Sequence, residues 1–189
     1  YLDIDGDHIP YRTLPGVHPK GAYFTRGSGH DKYGRYTEGS AEYMEVVDRL
    51  LAKVDSAGDH VPEPEVHQKS EPTEWGLVSL GGCHWAVLEA RDELAERDIS
   101  MEYLRVRGFP FNETVERFLE EHDRIVVIEQ NRDEQLRKLI TIETGCPKEK
   151  LRSITYYGGQ PLSKGHVLEG LSRWIPDLAS EASANELGA

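Results

Sequence analysis

Two spacings of apolar residues alternate along this chain, and their alternation predicts an α/β fold. Tyr43, Val46, Val47, Leu50, Leu51 and Val54 fall at i, i+3, i+4, i+7, i+8 and i+11, the stripe of an amphipathic helix; Ser40 is placed to cap its start and Gly58 lies beyond its end. Further on, Trp75 to Leu80 is a short apolar run that stops at Gly81-Gly82, a strand, and Val87, Ala90 and Leu94 then share one face of a helix. Ile99 to Val106 reads as a second strand, and Asn112 caps a helix whose Val115, Phe118, Leu119 and His122 return to helical spacing. Ile125 to Ile128 is continuous and β-branched, the pattern of a strand buried on both faces. Its helix carries Leu136, Leu139 and Ile140 and ends at Gly145 with Pro147 just beyond. Leu151 to Tyr157 is the last predicted strand, and Ser163 to Ile175 the last helix, with Val167, Leu171 and Trp174 inward. Strands and helices joined by short connections require right-handed crossovers. The expected fold class is therefore α/β: a three-layer α/β/α domain with a mostly parallel sheet, preceded by a loop-rich segment and one helix.

The rest of the chain divides around that domain. Residues 1–39 are rich in Gly, Pro, Tyr and His without sustained periodicity and read as ordered loop, so that 1–55 comprises this loop and the first helix. Residues 56–73, with Pro62-Glu63-Pro64-Glu65 at their centre, read as a linker, 74–176 as the α/β domain, and 177–189, small and acidic, as a flexible tail.

Composition narrows the function classes. A formal charge of −12 over 189 residues presents a repulsive field to nucleic acid. No apolar run approaches the roughly eighteen residues that cross a bilayer, and the acidic, mixed start Tyr1-Leu2-Asp3-Ile4-Asp5 is not a signal peptide. The chain opens on Tyr1 without an initiator methionine, which suggests an internal stretch of a longer protein. Cys83 and Cys146 stand far apart in no C-x-x-C arrangement, which suits a reducing cytoplasm and excludes an iron–sulfur site made by this segment alone.

Two stretches carry a family resemblance. One runs from Pro10-Tyr11-Arg12-Thr13-Leu14-Pro15-Gly16-Val17-His18-Pro19 through Tyr23-Phe24-Thr25-Arg26 to Gly27-Ser28-Gly29-His30-Asp31-Lys32-Tyr33-Gly34 and on to Glu38. The other is Arg105-Val106-Arg107-Gly108-Phe109-Pro110-Phe111, followed after one helix by Ile128-Glu129-Gln130-Asn131. The first resembles the segment that leaves the thiamine-pyrimidine domain of 2-oxoacid:ferredoxin oxidoreductase α subunits, where a Gly-x-x-His-Asp-x-x-Gly pattern precedes a helix. The second is similar to the transketolase-C-terminal-like domain of the same subunits. The resemblance implies a complex that oxidatively decarboxylates a 2-oxoacid on thiamine diphosphate, passes electrons through an iron–sulfur cluster to ferredoxin, and forms an acyl-CoA. The stretch from Arg12 to Glu38 favours the 2-oxoglutarate type, with pyruvate as the alternative substrate. It further implies a β subunit and a second α subunit as partners, and it places the diphosphate, Mg²⁺ and cluster ligands on the β subunit. No residue here matches the family's catalytic motifs, so a non-catalytic C-terminal part of the subunit is expected. The acidic charge also disfavours this segment as the main dock for an acidic ferredoxin.

Candidate sites follow from the expected topology. Ligands of an open parallel sheet favour the carboxyl ends of its strands, and helix N-termini attract anions. Gly81, Gly82, Cys83 and His84 sit at such a turn, where a phosphate of CoA or of a nucleotide would fit; a tight turn alone would also explain the two glycines. The Cys83 thiol at a helix start is either lowered in pKa or simply buried. Arg107, Glu129, Gln130 and Asn131 end strands on the same edge and are expected to face a partner subunit or ligand, with Asp133 as an N-cap. His30 and Asp31 are either an acid–base pair or structural or interface residues, and the neighbouring tyrosines, with Tyr23 and Phe24, are expected to pack the loop against a preceding domain. Asp3, Asp5 and Asp7 alternate as ligands of a hard cation do, but His8 and Leu14 stand where a calcium loop needs Gly and a carboxylate. The eight histidines are dispersed with no zinc-type spacing.

Overall fold

The computed structural model describes residues 1–21, 27–68, 73–176 and 178, and its chain divides into two units, Tyr1–His60 and Val61–Ala189. Of the residues singled out above, Tyr23, Phe24, Thr25 and Arg26 lie outside the described residues, as does the tail expected from Asp177 to Ala189 except for Leu178. Leu178 is buried in the second unit's core.

In the first unit the main element is α1, Ser40–Ser56. Gly39, in an extended conformation, holds the N-cap position, and Ser40 is the first helical residue rather than the cap. The loop before it is tied by short bridges, Leu2 to Tyr11 and His30 to Tyr36.

The second unit is built on β1 (Glu65–His67), β2 (Trp75–Leu80), β3 (Glu102–Val106), β4 (Arg124–Glu129) and β5 (Leu151–Thr155), in the order β1-β3-β2-β4-β5. β2, β3, β4 and β5 run parallel, and β1 alone pairs antiparallel, on the β3 edge. The stretch 56–73, expected as a linker, thus supplies the edge strand of the sheet. With only three residues and prolines at 62 and 64, β1 is too short to show a strand period. The crossovers are α2 (His84–Glu96), α3 (Glu113–Glu121) and α4 (Gln135–Thr144), and α5 (Lys164–Leu171) follows β5.

The two faces of the strands explain the three layers. Leu77, Tyr103, Val126, Ile128 and Ile154 pack against Val87, Ala90, Leu94, Val167 and Leu171 of α2 and α5. Their alternates, Val78, Leu104, Ile125, Val127 and Leu151, pack against Val115, Phe118, Leu119, Leu136 and Ile140 of α3 and α4. That alternation is the period-two geometry of a strand covered on both sides. α3 approaches β2 closely where Gly76 lies: a Cβ there would sit 2.8 Å from the Phe118 ring. Beside it, His122 Nε2 lies 3.2 Å from a Glu102 carboxylate oxygen, and its Nδ1 lies 2.8 Å from the Phe118 carbonyl.

The caps differ from the simplest expectation. Asn112 occupies the N-cap of α3, but its side chain accepts no helix N–H, and its amide donates to Glu63 at 2.6 Å. Gly145 ends α4 in the left-handed region, as its position predicts. Ser163 does cap α5, its hydroxyl accepting the His166 N–H.

Candidate functional site

All four parallel strands deliver their carboxyl ends to one edge of the sheet, so the expected ligand-facing residues can be followed one by one. After β2 the chain makes a 3₁₀ turn, Gly81–Cys83, directly into α2. Gly81 is left-handed, which a residue with a Cβ rarely adopts, and this turn requires it. Cys83 is buried, and burial pushes its thiol up to about 11. His84 is buried too, with Nδ1 3.1 Å from the Tyr103 hydroxyl, which lies 2.7 Å from the Ser79 hydroxyl. Burial likewise pushes the Tyr103 phenol up to about 12.

Of the residues that follow β3 and end β4, Arg107 is exposed but paired, and Glu129 is buried. Arg107 pairs with Glu65 at 3.2 Å, and Arg105 holds the other oxygen of that carboxylate at 3.1 Å. Glu129 is buried, and its two oxygens accept the backbone N–H groups of Leu136 at 2.7 Å and Arg137 at 3.2 Å. It is the anchor of the first turn of α4, where orphan donors and the helix dipole favour a carboxylate. Asn131 donates to the same carboxylate, and its carbonyl oxygen accepts the N–H groups of Asp133 and Gln135. Glu129 and Asn131 thus both bind backbone N–H groups at the start of α4. Asp133, expected as the cap, pairs instead with Arg132 at 2.8 Å. Gln130, whose amide reaches the Gln160 carbonyl at 3.4 Å, is exposed at this edge, as are Gly81, Gly82 and Arg107.

The first unit's candidates are also structural. Asp31 accepts the N–H groups of Tyr33 and Arg35, both at 2.9 Å, and these bonds, Arg35's first, hold its carboxyl below the usual range. His30 lies 2.8 Å from the Asp31 carbonyl, not its carboxylate, and stacks on Tyr1, so the two side chains form no acid–base pair. Asp3, Asp5 and Asp7 bring their oxygens within 4.8 Å of one another. Each already serves the loop: Asp3 accepts from Gly6 and His8, Asp7 from Ile9, and Asp5 from the Tyr11 hydroxyl.

One constellation escaped the sequence. Glu65 and His67 of β1 and His84 of α2 bring one ligand atom each within 4.8 Å of one another. The three are nineteen or fewer positions apart yet lie on different elements, so no motif marks them. His67 stacks on Tyr103, with ring centroids 5.2 Å apart, and its Nε2 is buried with no hydrogen-bond partner among the described residues. Burial first, then nearby arginines, lowers the pKa of both His67 and His84.

Comparison with known proteins fits this architecture. The chain is 26% identical over 179 residues to the α subunit of 2-oxoacid:ferredoxin oxidoreductase 1 from Aeropyrum pernix, covering 86% of this chain and 27% of that protein. It is 26% identical over 186 residues to the corresponding subunit of Sulfurisphaera tokodaii, covering 92% and 29% respectively. The chain is homologous to part of the 2-oxoacid:ferredoxin oxidoreductase α subunit. It spans about a quarter of the length of the curated α subunits it matches. No protein-family model matches it. The 2-oxoglutarate:ferredoxin oxidoreductase of Magnetococcus marinus, solved with 2-oxoglutarate, coenzyme A and succinyl-CoA, superposes on 88% of this chain with a TM-score of 0.74 at 21% identity. That match covers 29% of the oxidoreductase chain and establishes the fold. No helix among the described residues is long and apolar enough to cross a membrane.

Proposed function

We propose that this chain is the non-catalytic C-terminal part of the α subunit of a 2-oxoacid:ferredoxin oxidoreductase, of the 2-oxoglutarate type. Its α/β domain supports assembly with the β subunit and a second α subunit and helps frame the active site. The observation that carries this reading is the match, over most of the chain, to α subunits from Aeropyrum pernix and Sulfurisphaera tokodaii. At the carboxyl edge of the sheet Cys83 is buried, Glu129 anchors α4, and Arg107 is paired with Glu65. The whole complex would convert 2-oxoglutarate and CoA to succinyl-CoA and CO₂ with reduction of ferredoxin. Thiamine diphosphate, Mg²⁺ and the iron–sulfur cluster would be held outside this segment.

The test is co-purification from cells expressing the full-length α subunit with and without residues 61–176, scored by 2-oxoacid- and CoA-dependent reduction of a viologen dye. Joint loss of β-subunit association and activity is the expected outcome. A full-length subunit that associates with no β subunit and reduces no dye with any 2-oxoacid overturns the assignment. The rival role, contact with CoA through the turn at Gly81 and Gly82, predicts that Gly82→Asp raises the KM for CoA while association survives, because it adds negative charge beside an anion.

A further inference from the structure

We propose that Glu65, His67 and His84 form a binding site for a divalent transition metal of the zinc class. Two imidazoles and a carboxylate are a ligand set that suits Zn²⁺, Co²⁺ or Ni²⁺ rather than Mg²⁺ or Ca²⁺, which prefer all-oxygen shells. The three donors already lie within 4.8 Å of one another. Glu65 and His67 are two apart on β1 and so share a face of the strand, while His84 opens α2. These are sheet edge and helix start, not loop tips, so the donors are held before any ion arrives.

Four details support a ligand role over simple packing. The Nε2 of His67 is buried without a partner among the described residues, a state that costs about 1–3 kcal/mol when nothing relieves it. Coordination by a metal would relieve it. His84 is engaged at Nδ1 by the Tyr103 hydroxyl, itself anchored on Ser79. Such an outer partner fixes the tautomer and orientation of a metal-binding imidazole and leaves Nε2 free to ligate. Both histidines have lowered pKa values through burial, which keeps the rings in the neutral form that binds metal. Arg105 and Arg107 orient the Glu65 carboxylate at 3.1 and 3.2 Å, and a carboxylate's four lone-pair positions allow a metal to share it. Three protein donors leave a fourth position for water or another ligand.

The experiment is a titration of the metal-free 189-residue chain with Co²⁺, followed by calorimetry and by the visible ligand-field bands, then displacement by Zn²⁺. The expected result is one saturable equivalent, intense bands of a low-coordinate ion, and their loss on adding Zn²⁺. His67→Phe keeps the ring stacked on Tyr103 but removes both nitrogens. It and Glu65→Gln should each weaken binding by at least about 10-fold. His84→Ala should do the same, and circular dichroism with a thermal melt of the metal-free variant shows whether its fold is kept. Zn²⁺ should raise the melting temperature of the parent chain and not that of His67→Phe, since a ligand of the native state alone stabilises it by linkage. Absence of a saturable equivalent overturns the site, as does binding that is unchanged in His67→Phe or lost instead in an Asp3→Asn, Asp5→Asn, Asp7→Asn variant. The readout needs no oxidoreductase activity, so its outcome is independent of the family assignment.

Discussion

The two units of this chain are ordered by different physics. In Val61–Ala189, each of β2, β3 and β4 is covered on both faces, and side chains such as Leu77, Val78, Tyr103 and Ile128 are fully buried. In Tyr1–His60, Gly21 is the only buried residue among those described, and α1 buries none of its side chains. Local polar bonds do the ordering there: the aspartates at 3, 7 and 31 each accept backbone N–H groups from a few residues away. The contacts that span more sequence are polar as well, Arg49 to the His8 carbonyl at 3.0 Å and Lys32 to Glu45 at 3.1 Å. Hydrophobic burial scales with the area removed from water, whereas exposed hydrogen bonds and ion pairs are nearly matched by water. The sheet unit is therefore the one held by hydrophobic burial, and the first unit is a locally braced segment that displays Tyr11, Tyr33, Tyr36, Tyr43, Leu51 and Val54 on its surface.

The largest expected effects break that contrast directly. Leu77→Ala should destabilise the sheet unit by about 2–5 kcal/mol, the range for a buried leucine whose cavity collapses incompletely. Leu51→Ala, at a side chain 59% exposed on α1, should change stability by no more than about 0.5 kcal/mol. Urea unfolding curves of both variants, compared at equal m-value, measure the difference. A Leu51→Ala cost equal to that of Leu77→Ala would mean that the first unit is not the weakly buried segment described.

Within the sheet unit, the capping of α4 is the next effect. Glu129→Gln keeps the shape but replaces a buried acceptor carboxylate with an amide, whose NH₂ group faces backbone donors if the new side chain takes the wrong flip. The loss should be about 1–3 kcal/mol, with faster hydrogen exchange at Leu136 and Arg137, the two N–H groups it holds. If Glu129 instead served a ligand, the substitution would leave those amides unchanged.

Much of this fold was legible because its strands are buried on both faces. Trp75 to Leu80 announces β2 with its true limits, and the β-branched run at 125–128 lies wholly inside β4. What was not legible depends on contacts between distant elements. β1 has three residues and no room for a period, so the edge of the sheet was read as linker. Glu129 stands at a strand end, where an acid can equally face solvent, a ligand or the next helix, and only the three-dimensional turn decides that it caps α4. Ser40 and Asp133 carry the composition of caps but not the position, because the backbone turned one residue early in one case and Asn131 took the bonds in the other. His67 and His84 meet through β1 and α2, and a pair made by the edge of a sheet leaves no spacing to find. Cys83 was readable either way, and its burial decides for the bland alternative.

Two glycines in α5 sharpen the picture on a smaller scale, since the same substitution should change sign between them. A Cβ on Gly170 would lie 2.6 Å from two carbons of Ile154, a buried β-branched side chain with little freedom to move. Gly170→Ala should therefore cost about 1–3 kcal/mol through overpacking, less the helix propensity it gains. Gly165 has as its nearest such neighbour the Ser163 hydroxyl at 3.6 Å, an ordinary contact. Gly165→Ala should stabilise by up to about 1 kcal/mol. Thermal melts of the two variants decide it, and two shifts of the same sign would show that α5 is not seated on β5 as described.

The smallest effect is a pH dependence confined to the sheet unit. His67 and His84 both have pKa values lowered from 6.5, burial being the first cause for each, followed by Arg91 for His67 and Arg105 for His84. The sign follows from which state binds more protons. Above 6.5 both rings are neutral in the folded and unfolded chains and contribute no slope. As pH falls below 6.5 the unfolded chain takes up protons that the folded chain still refuses, so stability declines until pH passes the lowered folded values. Glu65 moves in the same direction by a different cause: its pKa is held down chiefly by the Arg105 bond, so the stability it contributes is present above the usual glutamate range and is lost only at more acidic pH. The two windows separate, the histidines acting first on acidification and Glu65 later. His67→Phe should flatten the first part of the curve and leave the second, while Arg105→Gln should flatten the second and weaken the first as well, because Arg105 also lowers the pKa of His84, as read by denaturation midpoints across a pH series. A curve whose first decline is unchanged in His67→Phe would show that His67 is not a buried neutral imidazole in solution, and it would remove one support of the proposed metal site while leaving the fold and the family relation intact.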